Sequence, residues 1–131
     1  MRMIAQEDEH DDNAEVTWED QQRINTFSKL NTRLRGIEEK KDLLKQEKEA
    51  LDDLTMDLEL ADEDQPVMYR VGEAYVHMSH SRALKRLEKE QATLDGELLK
   101  LSKSAEGCEV EMKKLKVTLY AKFGKAINLD E

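Results

Sequence analysis

Proline occurs once in the 131 residues, cysteine once and glycine five times, and the aromatics are one Trp, three Tyr and two Phe. A chain this poor in proline and glycine lacks the composition of a disordered or low-complexity segment, which is usually richer in both. So few aromatics, within an apolar fraction of 38%, suit narrow stripes on long helices better than the filled interior of a ball. Cys108 has no second cysteine to pair with, which fits a reducing compartment, the cytosol or nucleus. No apolar run approaches the roughly 18 residues of a membrane span, and Met1 to Ala5 has no apolar stretch behind it before the acids begin at Glu7. Neither a secretion signal nor a membrane span is expected.

What the chain has in abundance is charge. Charged residues make up 39% of it, 30 acids against 21 bases for a net charge of -9, and the mean hydropathy is -0.82. The first twenty residues carry eight acids and one base, and residues 51–65 carry seven acids and no base. Residues 21–50 reverse the balance with five acids and eight bases, and 66–131 have ten acids and twelve bases. Nucleic acid would require a denser basic footprint than this, so no nucleic-acid partner is expected. The basic surplus over 21–50 does allow salt-sensitive contact with acidic partners.

Residues 1–16 show no apolar period and much like charge, the pattern of a mobile acidic tail. One domain is expected over 17–131. Thr17 and Asp20 have capping-box spacing, and Glu19 and Asp20 suit the first turn of a helix expected over 18–61. Within it Leu30, Ile37, Leu44, Leu51 and Leu58 recur every seven residues, a coiled-coil ladder. Phe27 and Leu34 flank one side of this ladder, and Leu54 and Ala61 the other. The stripe is therefore expected to change side through a local break near Lys41 to Lys48. A second helix is expected over 82–123, where Leu84, Leu87, Gln91, Leu94, Leu98, Leu101, Ala105, Cys108, Met112, Leu115 and Leu119 alternate three and four apart. Gly124 supplies its stop, leaving 124–131 as a short C-terminal tail.

Between the helices, Pro66 ends the first, and residues 67–78 read as two strands about Gly72 and Glu73. Glycine at the first loop position suits a type II′ hairpin turn. That loop pairs Val71 with Ala74, Tyr69 with Val76 and Val67 with Met78 on one wholly apolar face. Residues facing each other across the fold-back then have numbers summing to 145, which matches Leu58 to Leu87, Leu51 to Leu94, Leu44 to Leu101, Ile37 to Cys108 and Leu30 to Leu115. The expected fold is mainly α: two long helices in an intrachain antiparallel coiled coil, roughly 60 Å long at about 1.5 Å per residue, joined by one β-hairpin.

A lone hairpin is only marginally stable in water and has two open edges, and a thin two-helix rod cannot wrap its apolar face. The hairpin is expected to assemble with those of other chains through Val67, Tyr69, Val71, Ala74, Val76 and Met78. Fold-back also gathers Trp18, Phe27, Tyr120 and Phe123 at the opposite tip, with Ile24, Leu119, Ile127 and Leu129. That is more apolar surface than a two-helix tip readily hides, and a contiguous exposed patch would mark an interaction site. The alternative is a small terminal core that these residues close among themselves.

Patterns that carry chemistry are scarce. His77 and His80 have no third ligand at fixed spacing, and Asp57, Glu59, Asp62, Glu63 and Asp64 lack the spacing and central glycine of a calcium loop, so no metal is expected. Cys108 falls in a coil layer opposite Ile37, the place of a small hydrophobe rather than a thiolate. There is no phosphate-cradling glycine loop and no nucleophile elbow. Neither an enzyme nor a cofactor is expected.

Three blocks carry a family resemblance: residues 16–27 (VTWEDQQRINTF), 60–80 (LADEDQPVMYRVGEAYVHMSH) and 119–130 (LYAKFGKAINLD). Over residues 16–131 the chain resembles the beta-type prefoldin subunits. The resemblance implies a subunit of a cytoplasmic hexameric co-chaperone, in which two alpha-type and four beta-type subunits join their hairpins into a double β-barrel and coiled coils hang from it. It further implies that the distal coil ends capture non-native proteins of the actin and tubulin class, without ATP, and pass them to the cytosolic chaperonin. Carried onto this sequence, the six hairpin residues would serve assembly. The tip residues Trp18, Ile24, Phe27, Leu119, Tyr120, Phe123, Ile127 and Leu129 would face clients, on the physical reading above rather than on a family motif. The competing class is a structural coiled-coil adaptor or tether whose tip binds one defined partner.

Overall fold

The computed structural model describes residues 2–3 and 15–129. In chain order these form strand β1 (Arg2–Met3), helix α1 (Trp18–Leu60), strands β2 (Val67–Val71) and β3 (Ala74–Met78), helix α2 (His80–Phe123), a 3-10 turn (Gly124–Ala126) and strand β4 (Ile127–Asn128). They divide into two compact units, Met1–Glu38 with Lys103–Glu131, and Glu39–Ser102. No helix among the described residues is long and apolar enough to cross a membrane.

Helix α1 starts where its capping box places it. The Thr17 N–H donates to Asp20 Oδ2 and the Asp20 N–H donates to Thr17 Oγ1, each at 3.1 Å, satisfying donors that a helix start otherwise leaves free. At the other end, the Asp64 N–H donates to Asp62 Oδ1 at 2.9 Å and the Gln65 N–H to the Asp62 carbonyl at 3.2 Å, a tight turn ahead of Pro66. Helix α2 begins two residues before the expected Arg82. Ser79 Oγ accepts the Arg82 N–H at 3.3 Å, so Ser79 caps a helix that starts at His80.

The seam of α1 is more regular than its apolar residues suggest. Phe27, Leu30, Leu34, Ile37, Lys41, Leu44, Lys48, Leu51, Thr55 and Leu58 are buried or half-buried and follow one another three and four apart without a slip. The expected break near Lys41 to Lys48 is therefore corrected: α1 is continuous there, Leu54 is 54% exposed, and Ala61 is exposed beyond the helix. Lysine and threonine take the places where leucine would be expected, with the lysine stems half-buried at the seam.

Polar partners on α2 answer them. Lys48 Nζ donates to Asp95 Oδ1 at 2.5 Å, and Gln91 Nε2 donates to Asp52 Oδ1 at 2.7 Å and to Thr55 Oγ1 at 3.3 Å. The residue numbers across these bonds sum to 143 or 146, beside the expected 145, as antiparallel pairing requires.

Strands β2 and β3 pair in the expected register, from Val67 with Met78 to Val71 with Ala74. Gly72 takes φ 65°, a left-handed value that glycine adopts without strain.

The expectation of a mobile acidic tail over 1–16 is corrected at its start. Arg2 pairs with Asn128 and Met3 with Ile127, so β1 and β4 form a short antiparallel ladder; residues 4–14 of that expected tail lie outside the described residues. The described part of the short C-terminal tail, 124–129, packs on the helices. Gly124, at φ 55°, turns the chain, and Ala126, Ile127 and Leu129 are buried in one cluster with Ile24, Phe27, Leu119 and Phe123.

Candidate functional site

The hairpin, in the unit Glu39–Ser102, divides along its length. At its root Tyr69 and Met78 are buried in a cluster with Leu58, Ala83 and Leu87, and half-buried Val67 packs on the same cluster. The expectation that the whole apolar face lacks cover is corrected for these three residues. Only Ser79 separates β3 from α2, so the first turns of α2 pass directly beneath the strand. His80, itself buried, places Nε2 2.5 Å from the Leu58 carbonyl oxygen and ties this root to the last turn of α1.

The Tyr69 hydroxyl is buried there with no hydrogen-bond partner. Burial pushes its pKa up to about 12; the nearby Glu90 carboxylate acts in the same direction and the Arg86 guanidinium, 5.5 Å from the ring centre, opposes.

The outer half of the hairpin is open. Val71, Ala74 and Val76 are exposed on the expected face, Val76 to 45%, and Met68 and Tyr75 are exposed on the other, Tyr75 to 62%. Met68 and Tyr75 lie outside the wholly apolar face that the sequence marks, each paired with a polar residue, His77 and Arg70. A groove of about 1140 Å³ lies beside this half and is lined in part by Leu54, Ala61, Pro66, Met68 and Tyr75. The off-seam leucine of α1 thus belongs to the hairpin surface.

In the unit Met1–Glu38 with Lys103–Glu131, the tip candidates come together, but mostly not as a surface. Ile24, Phe27, Leu119, Phe123, Ile127 and Leu129 form a buried core, with Leu119 at 0% and Phe123 at 1% exposure. Tyr120 packs on it half-buried, and its hydroxyl accepts the Leu129 N–H at 3.2 Å. Only Trp18 of the eight stands in solvent, 73% exposed. Of the two alternatives for the tip, an open apolar patch or a small closed core, the structure has the closed core, because the chain after Gly124 folds back and supplies the cover.

Charge closes the same unit. Asp20 is 2% exposed and accepts from Arg23 Nη1 at 2.9 Å and from Lys122 Nζ. The hydrogen bond from Lys122 holds its pKa down at about 2, burial opposes, and the bonds from Thr17 assist. Beside the core, a groove of about 370 Å³ is lined by residues that include Leu34, Met112 and Leu129.

Cys108 is buried, and no group of three or more His, Cys, Asp or Glu among the described residues could hold a metal ion.

The family described as "Prefoldin subunit" matches residues 21–126. The chain is 43% identical over 118 residues to prefoldin subunit 4 of Saccharomyces cerevisiae, covering 90% of this chain and 92% of that one. It is 34% identical over 131 residues to prefoldin subunit 4 of Homo sapiens, covering 99% and 94%. Its fold is similar to the crystal structure of the prefoldin beta subunit from Thermococcus strain KS-1, with a TM-score of 0.76 and 16% identity over 85% of this chain and 97% of that one. Two long helices, a hairpin with a bare outer half, and a family match that spans most of the sequence agree: the chain belongs to the prefoldin subunit family.

Proposed function

We propose that the chain is a beta-type subunit of a hexameric prefoldin, joined through its hairpin to alpha- and beta-type partner subunits in the cytoplasm. The observation that carries this is the outer hairpin. Val71, Ala74 and Val76 are exposed on one face and Met68 and Tyr75 on the other, in a sheet of two strands with no third beside it among the described residues. Such edges and faces are covered by pairing with similar strands. The assembly residues are then Val71, Ala74 and Val76, extended by Met68 and Tyr75, while Val67, Tyr69 and Met78 anchor the hairpin to its own helices.

In this reading the tips hold non-native proteins of the actin and tubulin class without ATP and pass them to the cytosolic chaperonin. Several weak contacts on several tips give the avidity that one tip lacks. The test is the native mass of the complex purified from cell extract, with its chains identified. A hexamer of related small coiled-coil chains is expected; a monomer, or a stable pair with one unrelated protein, overturns the reading.

The closed tip core favours one competitor, a tether that binds a single folded partner. Holding several unrelated unfolded proteins by the purified complex excludes that alternative, and failure to hold any establishes it.

A further inference from the structure

Helix α1 carries a second stripe beside its seam. Leu43, Glu47, Ala50, Leu54, Asp57 and Ala61 follow one another four and three apart, and all six are exposed, Leu43 to 61% and Leu54 to 54%. From Leu43 to Asp57 each lies one residue ahead of a seam residue, about 100° round the helix. The stripe leads into the groove of about 1140 Å³, whose lining joins Leu54 and Ala61 to Pro66, Met68 and Tyr75. Apolar surface thus continues from the open half of the hairpin onto the side of α1, all within the unit Glu39–Ser102. A contiguous exposed patch of this kind marks an interaction site.

From Leu43 to Ala61 the stripe runs roughly 27 Å at about 1.5 Å per residue, farther than a strand added to the hairpin edge reaches. Spacings of four and three are those that another helix, laid alongside, can match. Charge narrows the choice of helix. Glu47 and Asp57 lie within the stripe, Glu90 also lines the groove, and the base among the lining residues, Arg70, is engaged by donating through Nε to the Gly72 carbonyl at 2.9 Å. Residues 51–65 hold seven acids and no base. A second copy of this chain laid stripe to stripe would set these acids against one another, whereas a helix with bases between its apolar residues is complementary.

We propose that this stripe and the adjoining groove form a docking surface for the hairpin-proximal helix of a neighbouring, non-identical prefoldin subunit, one that carries bases between its apolar residues. This rests on the proposed function and adds the chemistry of the neighbour that this chain accepts. Backbone pairing between hairpins is the same for every strand and does not tell related subunits apart. A helix contact with an apolar floor and acidic flanks does, by attracting one neighbour and repelling a copy of the chain itself.

The test uses the whole complex reassembled with its partner subunits, with a benzophenone amino acid in place of Leu54. Illumination is expected to join position 54 to a helix of one other subunit, within a peptide that has bases among its apolar residues. Attachment within this chain only, to a second copy of it, to an added unfolded protein, or to nothing overturns the docking surface. Glu47→Lys with Asp57→Lys, both at exposed sites, should leave melting of the isolated chain unchanged and speed its exchange out of the complex about tenfold, read by native mass spectrometry against an isotope-labelled copy. If the double reversal lowers melting, Leu54→Ser supplies the same readout. Exchange at the unaltered rate overturns the docking surface. The native mass of the unaltered complex is recorded first. If it is not that of a hexamer of related chains, the proposed function falls; if it is, and the cross-link or the exchange fails, the docking surface alone falls.

Discussion

Lys122, in the last turn of α2, donates to Asp20, in the first turn of α1. A cation at a helix C-terminus and an anion at a helix N-terminus each suit the local dipole, and antiparallel helices bring the two together. Asp20 is also half of the capping box, so one buried carboxylate starts a helix and joins it to another.

Asp20→Asn should lower stability near neutral pH by about 2 kcal/mol, in keeping with a carboxyl held near pKa 2 instead of 3.8. A lowered folded pKa means that the contribution is complete above the unfolded value and lost as pH falls through the folded one. Thermal melts of the native protein and the variant should therefore converge between about pH 4 and pH 2. A gap that persists unchanged at pH 2 would place the stabilisation elsewhere.

Phe123→Ala and Leu119→Ala should each cost about 3–5 kcal/mol by denaturant unfolding, because both side chains are wholly enclosed and leave cavities. Trp18→Ala, at an exposed site, should cost less than about 0.5 kcal/mol. Similar midpoints for Phe123→Ala and Trp18→Ala would show that the tip core is not closed in solution.

Val76→Asp should leave helicity and melting of the isolated chain unchanged and remove the assembled species from native mass spectra, since Val76 stands on the open half of the hairpin. Met78→Asp instead puts a carboxylate among Leu58, Ala83 and Leu87 and should unfold its own unit. If Val76→Asp assembles normally, the outer hairpin is not the contact.

Tyr69→Phe should shift stability by no more than about 1 kcal/mol, because the buried hydroxyl it deletes makes no hydrogen bond of good geometry, with the Glu90 carboxylate only nearby. The hydroxyl's pKa is raised from 10.0 to about 12, so the folded state keeps it protonated where the unfolded chain ionises. The native protein should lose stability relative to the variant as pH rises from about 10 to about 12, and denaturant midpoints across that range measure it.

Short-range signals account for what is legible in the sequence. The capping box, the seven-residue ladder and the hairpin register each depend on spacing within a few residues, and the structure reproduces them. Leu54 misleads because it is apolar yet lies off the phase that the helix keeps. Lys48 and Thr55 hold the seam, and their partners Asp95 and Gln91 lie some 40 residues away. The closed tip is legible only as one of two alternatives, for a related reason. Nothing near Ile127 or Leu129 says that the chain will return over Phe27, and nothing near Arg2 says that it will pair with Asn128.

The contacts that hold the helices reach steadily farther along the chain: His80 to Leu58 spans 22 residues, Gln91 to Asp52 spans 39, Lys48 to Asp95 spans 47, and Lys122 to Asp20 spans 102. Closing a longer loop costs more entropy, and local contacts form first. A chain that folds as it is made therefore zips outward from the turn at Gly72, and Asp20 waits for its partner until residue 122 has been added. Throughout that wait the start of the first helix, from Phe27 to Ile37, keeps its apolar seam bare while the stretch nearer the hairpin is already covered.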